Sequence, residues 1–206
     1  MQKITDKLAK PLSDRGERIL AAAQTLFLQH GFEKTSLDMI ISESGGSRRS
    51  IYNEFGNKQG LLLAVLREKV ALQRRALESL DKNLPPQEAL TNVCVKFVTG
   101  MLSHTMLALF RVVSQLVVKM PEIGEYIYQQ GPMQCRGLIG NYLAELEQQG
   151  VVKIDDKDYA AQLLIEMANG RLHFKSLLLA NTKVTKQEIE REVALAVKLF
   201  LKAYAP

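Results

Sequence analysis

A short run of serines and arginines has the residue types that bind anions. Ser47, Arg48, Arg49 and Ser50 directly follow two glycines. A guanidinium group pairs with phosphate oxygens, or with the edge of guanine, through two hydrogen bonds, and a small hydroxyl can bond to either. Two neighbouring arginines lie more often on the solvated surface than in contact with a ligand. The secondary structure around this run therefore has to be considered before a role is assigned to it.

The glycines predict a tight turn between two short helices. An apolar stretch over 37–41 ends at 44–46, and Ser47 is the expected N-cap of a helix over Arg48–Phe55. The apolar face of that helix, which includes Ile51, would hold it against a core. Its polar first turn would stay exposed and could reach phosphates or base edges.

The helix before the turn is expected to begin with a capping box. Thr35 is the predicted N-cap, and Asp38 would reach back to the backbone N–H of Thr35. A further helix carries an apolar stripe over 19–27 and ends at Gly31. Three short helices separated by glycine-containing turns predict a helix-turn-helix, whose second helix enters the DNA major groove.

About a quarter of the chain resembles the DNA-binding module of the TetR/AcrR regulators. The shared positions, in the order and spacing of that family, are Arg18–Phe27, His30–Phe32, Thr35, Ser36, Ile40, Gly45, Ser47, Ile51, Tyr52, Phe55, Lys58 and Leu61. The resemblance implies that Tyr52 and Lys58 contact phosphates, and that Thr35 and Ser36 open the helix that rests on the DNA backbone. The expected DNA-binding residues are Thr35, Ser36, Ser47, Arg48, Arg49, Ser50, Tyr52, Asn53 and Lys58.

Four residues depart from the pattern of that family, among them Ser44, which replaces the usual alanine. Gly46 replaces an aliphatic residue, which predicts a looser turn. Arg49 stands where a small residue is common and adds a charge that could read guanine. Glu54 is an unusual choice beside DNA. It could accept a hydrogen bond from N4 of cytosine, but we expect it to point away or to tether an arginine.

The charge of the chain fits a polyanionic partner without requiring one. The net charge is +5, but the first sixty residues hold nine Lys or Arg against seven Asp or Glu, so any DNA footprint must be local. Lys3, Lys7 and Lys10 are interpreted either as an arm that adds phosphate contacts or as a disordered tail.

Because neither a signal-peptide pattern nor an apolar run near the ~18 residues of a membrane span occurs, we expect a cytoplasmic protein with no membrane partner.

Helical periodicity dominates all 206 residues and predicts an all-α fold of about nine helices. The expected domains are a helix-turn-helix domain over 1–62 and a helical ligand-binding and dimerisation domain over 63–206. Pro85 and Pro86 mark a linker, and Pro121 is expected to close an apolar helix that starts near Leu107.

The second half of the chain resembles the C-terminal domain of AefR-like regulators over 107–113, 120–123, 128–132 and 150–156. This resemblance implies a small-molecule inducer and control of efflux or stress genes.

The last two helices, over 158–179 and 185–204, are apolar over wide arcs, which favours a homodimer over a monomer with an internal helix pair. Methionines, aromatics and a few polar groups suit an apolar inducer, although each is also compatible with ordinary core. The candidate ligand-binding residues are Met101, His104, Phe110, Gln115, Tyr126, Cys135, Met167 and Phe174.

These features together predict a ligand-responsive repressor that binds a palindromic operator in double-stranded DNA as a dimer and is released by an inducer. No cofactor and no metal are expected, since the three histidines are widely separated. Cys94 and Cys135 are interpreted as reduced, buried thiols, with a redox switch as the alternative. A helical enzyme and a protein-binding adaptor remain the other classes; no nucleophile-elbow, zincin, P-loop or dinucleotide motif supports the first.

Overall fold

The computed structural model describes residues 11–179 and 181–206, and regular structure in those residues is helical throughout. The helices are α1 (Asp14–Lys34), α2 (Leu37–Ser44), α3 (Arg48–Glu54), α4 (Lys58–Glu78), α5 (Pro86–Met101), α6 (His104–Leu116), α7 (Pro121–Gln130), α8 (Pro132–Gln148), α9 (Lys157–Leu178) and α10 (Lys186–Ala203). The all-α prediction is confirmed.

No single described helix is long and apolar enough to cross a membrane. The bent pair formed by α5 and α6 meets the length and composition criteria only when the two helices are taken together.

Helix α1 begins and breaks where the sequence indicates. The Ser13 side chain accepts a hydrogen bond from the backbone N–H of Gly16 and caps the first turn. At Gly31 the backbone turns to φ 77° and ψ 166°, a conformation that side chains disfavour, so the regular helix stops there. The stripe between Ile19 and Phe27 is buried, as its spacing predicts.

The chain divides into two compact units. The first contains residues up to Lys69 together with Ala108–Ile127, and the second contains Val70–Leu107 and Tyr128–Pro206. In the first unit, the helix-turn-helix region and 61–66 share one buried core with Leu109, Leu116 and Ile123. Residues 108–127 therefore fold with the N-terminal helices, although they are distant in sequence.

The second unit has its own core. It is built from buried aliphatic residues of α5, α8, α9 and α10, together with Phe97, Tyr142 and Phe200. Thr185 and Glu188 form a complete capping box at the start of α10, which fixes where this last helix begins.

Pro121 does not act only as a stop. The apolar helix α6 ends at Leu116, and Pro121 is the first residue of α7, a helix that the sequence did not predict. Proline is well tolerated at the first helical position because the N–H that it lacks has no partner within the helix there.

Candidate nucleic-acid interface

The turn between α2 and α3 has the predicted geometry. Gly45 lies in the left-handed region at φ 64°, and its N–H donates to the carbonyl oxygen of Ile41 at 3.0 Å. Ser47 then caps α3 by accepting from the backbone N–H of Ser50 at 3.1 Å. Ile51 and Phe55 are fully buried, so one face of α3 is anchored and the opposite face is exposed.

The exposed face of α3 presents the side chains expected to meet DNA. Arg49 and Asn53 are exposed, and Tyr52 is 47% exposed despite its size. Among the described residues, Arg49 makes no hydrogen bond or ion pair, so its guanidinium group can pair with a base edge or phosphate. The hydroxyls of Ser47 and Ser50 lie 2.9 Å apart and hold each other at the start of the helix.

Arg48 is positioned by an acidic partner on α2. Its Nη2 atom donates to both carboxylate oxygens of Asp38, at 2.8 and 2.7 Å. Both side chains are largely exposed, so this ion pair contributes little to stability and can open toward a phosphate. Asp38 thus pairs with Arg48 and does not reach back to cap its own helix.

The prediction that Thr35 caps α2 is wrong. The N-cap is Ser36, which accepts from the backbone N–H of Met39 at 3.2 Å. Thr35 is fully buried, and its hydroxyl donates toward the carbonyl oxygens of Leu26 and Gly31, at 3.2 and 2.8 Å. Thr35 thus provides a hydrogen-bond donor to carbonyl groups in the last turns of α1, around the break at Gly31. Its hydroxyl is therefore not available to a phosphate in this conformation, whereas Ser36 is exposed.

Lys58 is bound to the end of α1. Its ammonium group donates to the carbonyl oxygens of Phe32, Glu33 and Thr35, at 2.9, 3.4 and 3.0 Å. The same nitrogen lies 4.5 Å from the centre of the Phe32 ring. All three N–H donors are thus occupied within the protein, which competes with the phosphate contact that the family resemblance implies.

The turn is not loosened by Gly46. A Cβ atom at this position would stand 2.9 Å from both Cγ1 and Cδ1 of Ile19. Ile19 is fully buried and fills the space that an aliphatic side chain after the turn would otherwise take. The expectation of a poorly anchored turn is therefore wrong.

Glu54 does not tether an arginine. Its carboxylate accepts hydrogen bonds from Ser13, the residue that caps α1. The arm formed by Lys3, Lys7 and Lys10 lies outside the described residues.

The candidate ligand-binding residues fall in both units. Cys135 is buried in the core of the second unit, and Met101 and Met167 pack against that core. Tyr126 packs against the core of the first unit. The remaining candidates are exposed in the single chain; they are His104, Phe110, Gln115 and Phe174.

Two buried polar side chains were missed by the sequence analysis. The side-chain oxygens of Gln73 and Asn169 are buried and accept no hydrogen bond from the described residues. The Gln73 amide packs so closely against Gly100 that a methyl group there would overlap it. An Asn beside alanine and glycine in the middle of an apolar helix was the available signal for Asn169.

The two cysteines are free and buried. Burial raises the pKa of the Cys94 thiol to about 12. Burial also raises the pKa of Cys135 to about 11, against a smaller opposing effect of the Arg74 charge. Because the thiolate is the reactive form, these values favour the interpretation of both residues as inert core thiols. Within 11–179 and 181–206, no cluster of His, Cys, Asp and Glu could hold a metal ion.

Comparison with known proteins agrees with this geometry. Residues 19–65 match the family of bacterial regulatory proteins named after TetR, and residues 88–206 match the C-terminal domain of AefR-like transcriptional repressors. The uncharacterised HTH-type transcriptional regulator YerO of Bacillus subtilis is 26% identical over 79% of this chain and 55% of its own length. The chain spans only 37–55% of the length of the first curated relatives that it matches.

Solved structures share the fold over nearly the whole chain. A protein of Mesorhizobium loti assigned to the TetR-family transcriptional regulators superposes with a TM-score of 0.85 at 20% identity, covering 93% of this chain and 97% of that one. The flavonoid-responsive regulator FrrA superposes with a TM-score of 0.78 at 25% identity, covering 92% and 96%. Since the C-terminal match alone spans more than half of the residues and the N-terminal match spans the helix-turn-helix, this chain belongs to the TetR family of transcriptional regulators.

Proposed function

We propose that the chain is a ligand-responsive repressor that binds a palindromic operator in double-stranded DNA as a homodimer. The observation that carries this proposal is α3, which is anchored by buried Ile51 and Phe55 and exposes Arg49, Tyr52 and Asn53 on its other side. Members of the family are regulators and not enzymes, which removes the enzymatic alternative. A protein-binding adaptor is the second candidate, and titration with a DNA duplex distinguishes the two.

The DNA-binding role is assigned to residues 1–62 and the ligand-binding and dimerisation role to 63–206. Residues 108–127 pack into the core of the first unit, so we propose that they stabilise the DNA-binding part. In that unit Lys119 forms an ion pair with Glu33 at 3.2 Å, and the Gln59 amide lies 2.7 Å from the Met120 sulfur. Helices α4 and α6 each contribute residues to both units and are the proposed route by which an inducer changes DNA affinity.

Arg49 is the proposed reader of base sequence. We expect Arg49→Ala to weaken binding to the duplex upstream of the protein's own gene by about ten- to hundredfold, since a bidentate arginine–guanine pair contributes about 1–3 kcal/mol. Binding to a scrambled duplex of equal length should change much less. Fluorescence anisotropy with both duplexes over a series of salt concentrations measures the two affinities. The wild-type affinity should fall steeply with salt.

Tyr52→Phe is the matched control, because it removes only a hydroxyl from the neighbouring exposed surface. If Tyr52 contacts a phosphate, both duplexes lose affinity by the same factor. Equal losses on both duplexes for Arg49→Ala would reduce Arg49 to a phosphate contact. No binding of the wild type to its own duplex at low salt would sink the regulator proposal.

The dimer is proposed to form through α9 and α10. Phe174 and Leu178 on α9 are 65% and 66% exposed, and Leu195 and Leu199 on α10 are 52% and 49% exposed. Each pair is spaced by four residues, so each forms an apolar strip on one helix face. A second copy of the chain would bury both strips in a four-helix contact, and the exposure of Phe174 suits this role better than ligand binding. Two recognition helices spaced by about 34–36 Å would then meet successive major grooves.

The inducer is proposed to be apolar with hydrogen-bond donors. Gln73 and Asn169 belong to the second unit, and each has a buried side-chain oxygen that accepts no hydrogen bond from the described residues. A donor group on the ligand would satisfy these oxygens at the point where their desolvation is otherwise uncompensated. Flavonoids, to which FrrA responds, combine aromatic rings with hydroxyl groups and are suitable probes. Control of efflux or stress genes is part of the same proposal.

Gln73→Met should separate ligand binding from stability. Methionine has a similar volume and leaves no unpaired oxygen, so the free energy of unfolding is expected to rise by about 1 kcal/mol. DNA affinity should be retained, while the stabilisation of the wild type by a flavonoid such as quercetin should be lost. Urea unfolding and thermal shift with and without quercetin measure both effects. A loss of stability in the ligand-free variant would contradict the assignment of an unsatisfied oxygen.

A further inference from the structure

The last residue of the recognition helix is bonded to the first turn of α1. The two carboxylate oxygens of Glu54 accept from Ser13, one from its backbone N–H at 3.1 Å and one from its hydroxyl at 2.9 Å. The same hydroxyl accepts from the backbone N–H of Gly16 at 3.1 Å. A continuous chain of hydrogen bonds, here called the Glu54 latch, therefore connects the N-terminus of α1 to the C-terminus of α3.

The electrostatics of the latch are favourable. The N-terminus of a helix carries partial positive charge from N–H groups without helical partners, and a carboxylate stabilises it. Hydrogen bonds that involve a charged group are also shorter and stronger than neutral ones. Both hydrogen bonds are solvent-exposed, so they orient the two helices more than they add to the free energy of unfolding.

Gly16 provides the space that the latch needs. A methyl group at this position would overlap Oε2 of Glu54. Alanine is otherwise the better residue inside a helix by about 1 kcal/mol, so glycine here is unfavourable for α1 itself. The close approach of the carboxylate gives this glycine a structural reason.

A carboxylate at this position carries an electrostatic cost for DNA binding. Glu54 and Asn53 line an open groove of about 820 Å³ together with Arg15 and Arg18 of α1. A negative charge beside the exposed face of α3 repels phosphates. A direct contact between Glu54 and the DNA backbone therefore does not explain why a carboxylate stands here. Resting on the proposed DNA-binding function, we infer that Glu54 is a positioning residue, which holds α3 against α1 in the orientation that enters the major groove.

Two substitutions break the latch from opposite sides. Glu54→Ala removes the acceptor, and Gly16→Ala displaces it. Each is expected to raise the Kd for the duplex upstream of the protein's own gene by about tenfold, because a free protein that holds α3 in the DNA-competent orientation about one tenth as often has an apparent Kd about ten times higher. Because both act on one interaction, the double variant should also lose about tenfold, and not a hundredfold. The slope of log Kd against log salt should stay at the wild-type value, because no phosphate contact is lost.

Glu43→Ala is the charge control. Glu43 is an exposed carboxylate on α2 that makes no hydrogen bond or ion pair within the described part of the chain. Its removal should leave the Kd unchanged or lower it slightly. Ser13→Thr keeps both donors of the latch and should bind like the wild type.

Amide hydrogen exchange reports on the latch without DNA. In the free protein, Glu54→Ala and Gly16→Ala should both accelerate exchange over 48–55 several-fold, with unchanged helix content by circular dichroism. Tighter DNA binding by Glu54→Ala would show that the residue acts only by repulsion, and an unchanged Kd would show that it positions nothing; either result overturns the inference. A wild type that fails to bind the duplex overturns the proposed function as well, so the wild-type titration distinguishes the two failures.

Discussion

Leu199→Glu is expected to convert the proposed dimer to a monomer and to raise the Kd for the duplex upstream of the protein's own gene at least a hundredfold. Leu199 is half-exposed on α10, one turn after the equally exposed Leu195. Burying a leucine side chain contributes about 1.5–3 kcal/mol, and a two-fold axis makes each substitution count twice. Two carboxylates would in addition be brought into an apolar contact without partners. A monomer holds only one half-site, so it loses the gain in affinity that comes from joining two recognition helices.

Sedimentation equilibrium at micromolar concentration gives the mass, and anisotropy gives the Kd of the same sample. Val151→Glu is the matched control, because Val151 is an exposed aliphatic residue of the second unit that lies outside α9 and α10. It should remain dimeric and bind DNA normally. A dimeric Leu199→Glu protein with wild-type affinity would place the subunit contact on another surface.

Helix α3 was predictable because local signals agree there. Gly45 in the left-handed region, the Ser47 cap and the buried Ile51 each act within a few residues along the chain. The bounds of α9 and α10 were predictable for the same reason, since the capping residues Asp156 and Thr185 mark their starts.

The predictions that failed depended on contacts between distant residues. Thr35 and Ser36 are both good caps by type, and only the folded structure shows that the Thr35 hydroxyl turns inward, to the carbonyl oxygens of Leu26 and Gly31. Likewise, the space at Gly46 is filled by Ile19, twenty-seven positions earlier in the chain. Propensity and periodicity describe one element at a time, so neither could show these choices.

The packing of 108–127 with the N-terminal helices was equally hidden. An apolar helical face shows that a segment is buried, but it does not show against what. Leu109, Leu116 and Ile123 look like any other core residues in sequence, yet they complete the core of the first unit. A domain boundary drawn at 62 from sequence therefore could not include them.

Lys58→Met is expected to lower the free energy of unfolding by about 3 kcal/mol. Its ammonium group satisfies the carbonyl oxygens of Phe32, Glu33 and Thr35, and hydrogen bonds from a charged group contribute about 1.5–3 kcal/mol. The Phe32 ring beneath the nitrogen adds a cation–π contribution of about 0.5–1 kcal/mol. Methionine keeps most of the aliphatic stem, so the loss isolates the cation.

The salt dependence of DNA binding distinguishes this structural role from a phosphate contact. If Lys58 neutralised a phosphate directly, its loss would reduce the slope of log Kd against log salt by about 0.9. For folded Lys58→Met at low temperature, we expect the slope to be unchanged. Lys34→Met serves as the charge control, because Lys34 is an exposed lysine of the same helix end that bonds to none of the described residues. If Lys58→Met had the urea stability of the wild type and a reduced slope, Lys58 would instead be a direct phosphate contact. The result that we expect is a lower free energy of unfolding with an unchanged slope. It would show that Lys58 affects DNA binding only by stabilising the helix-turn-helix.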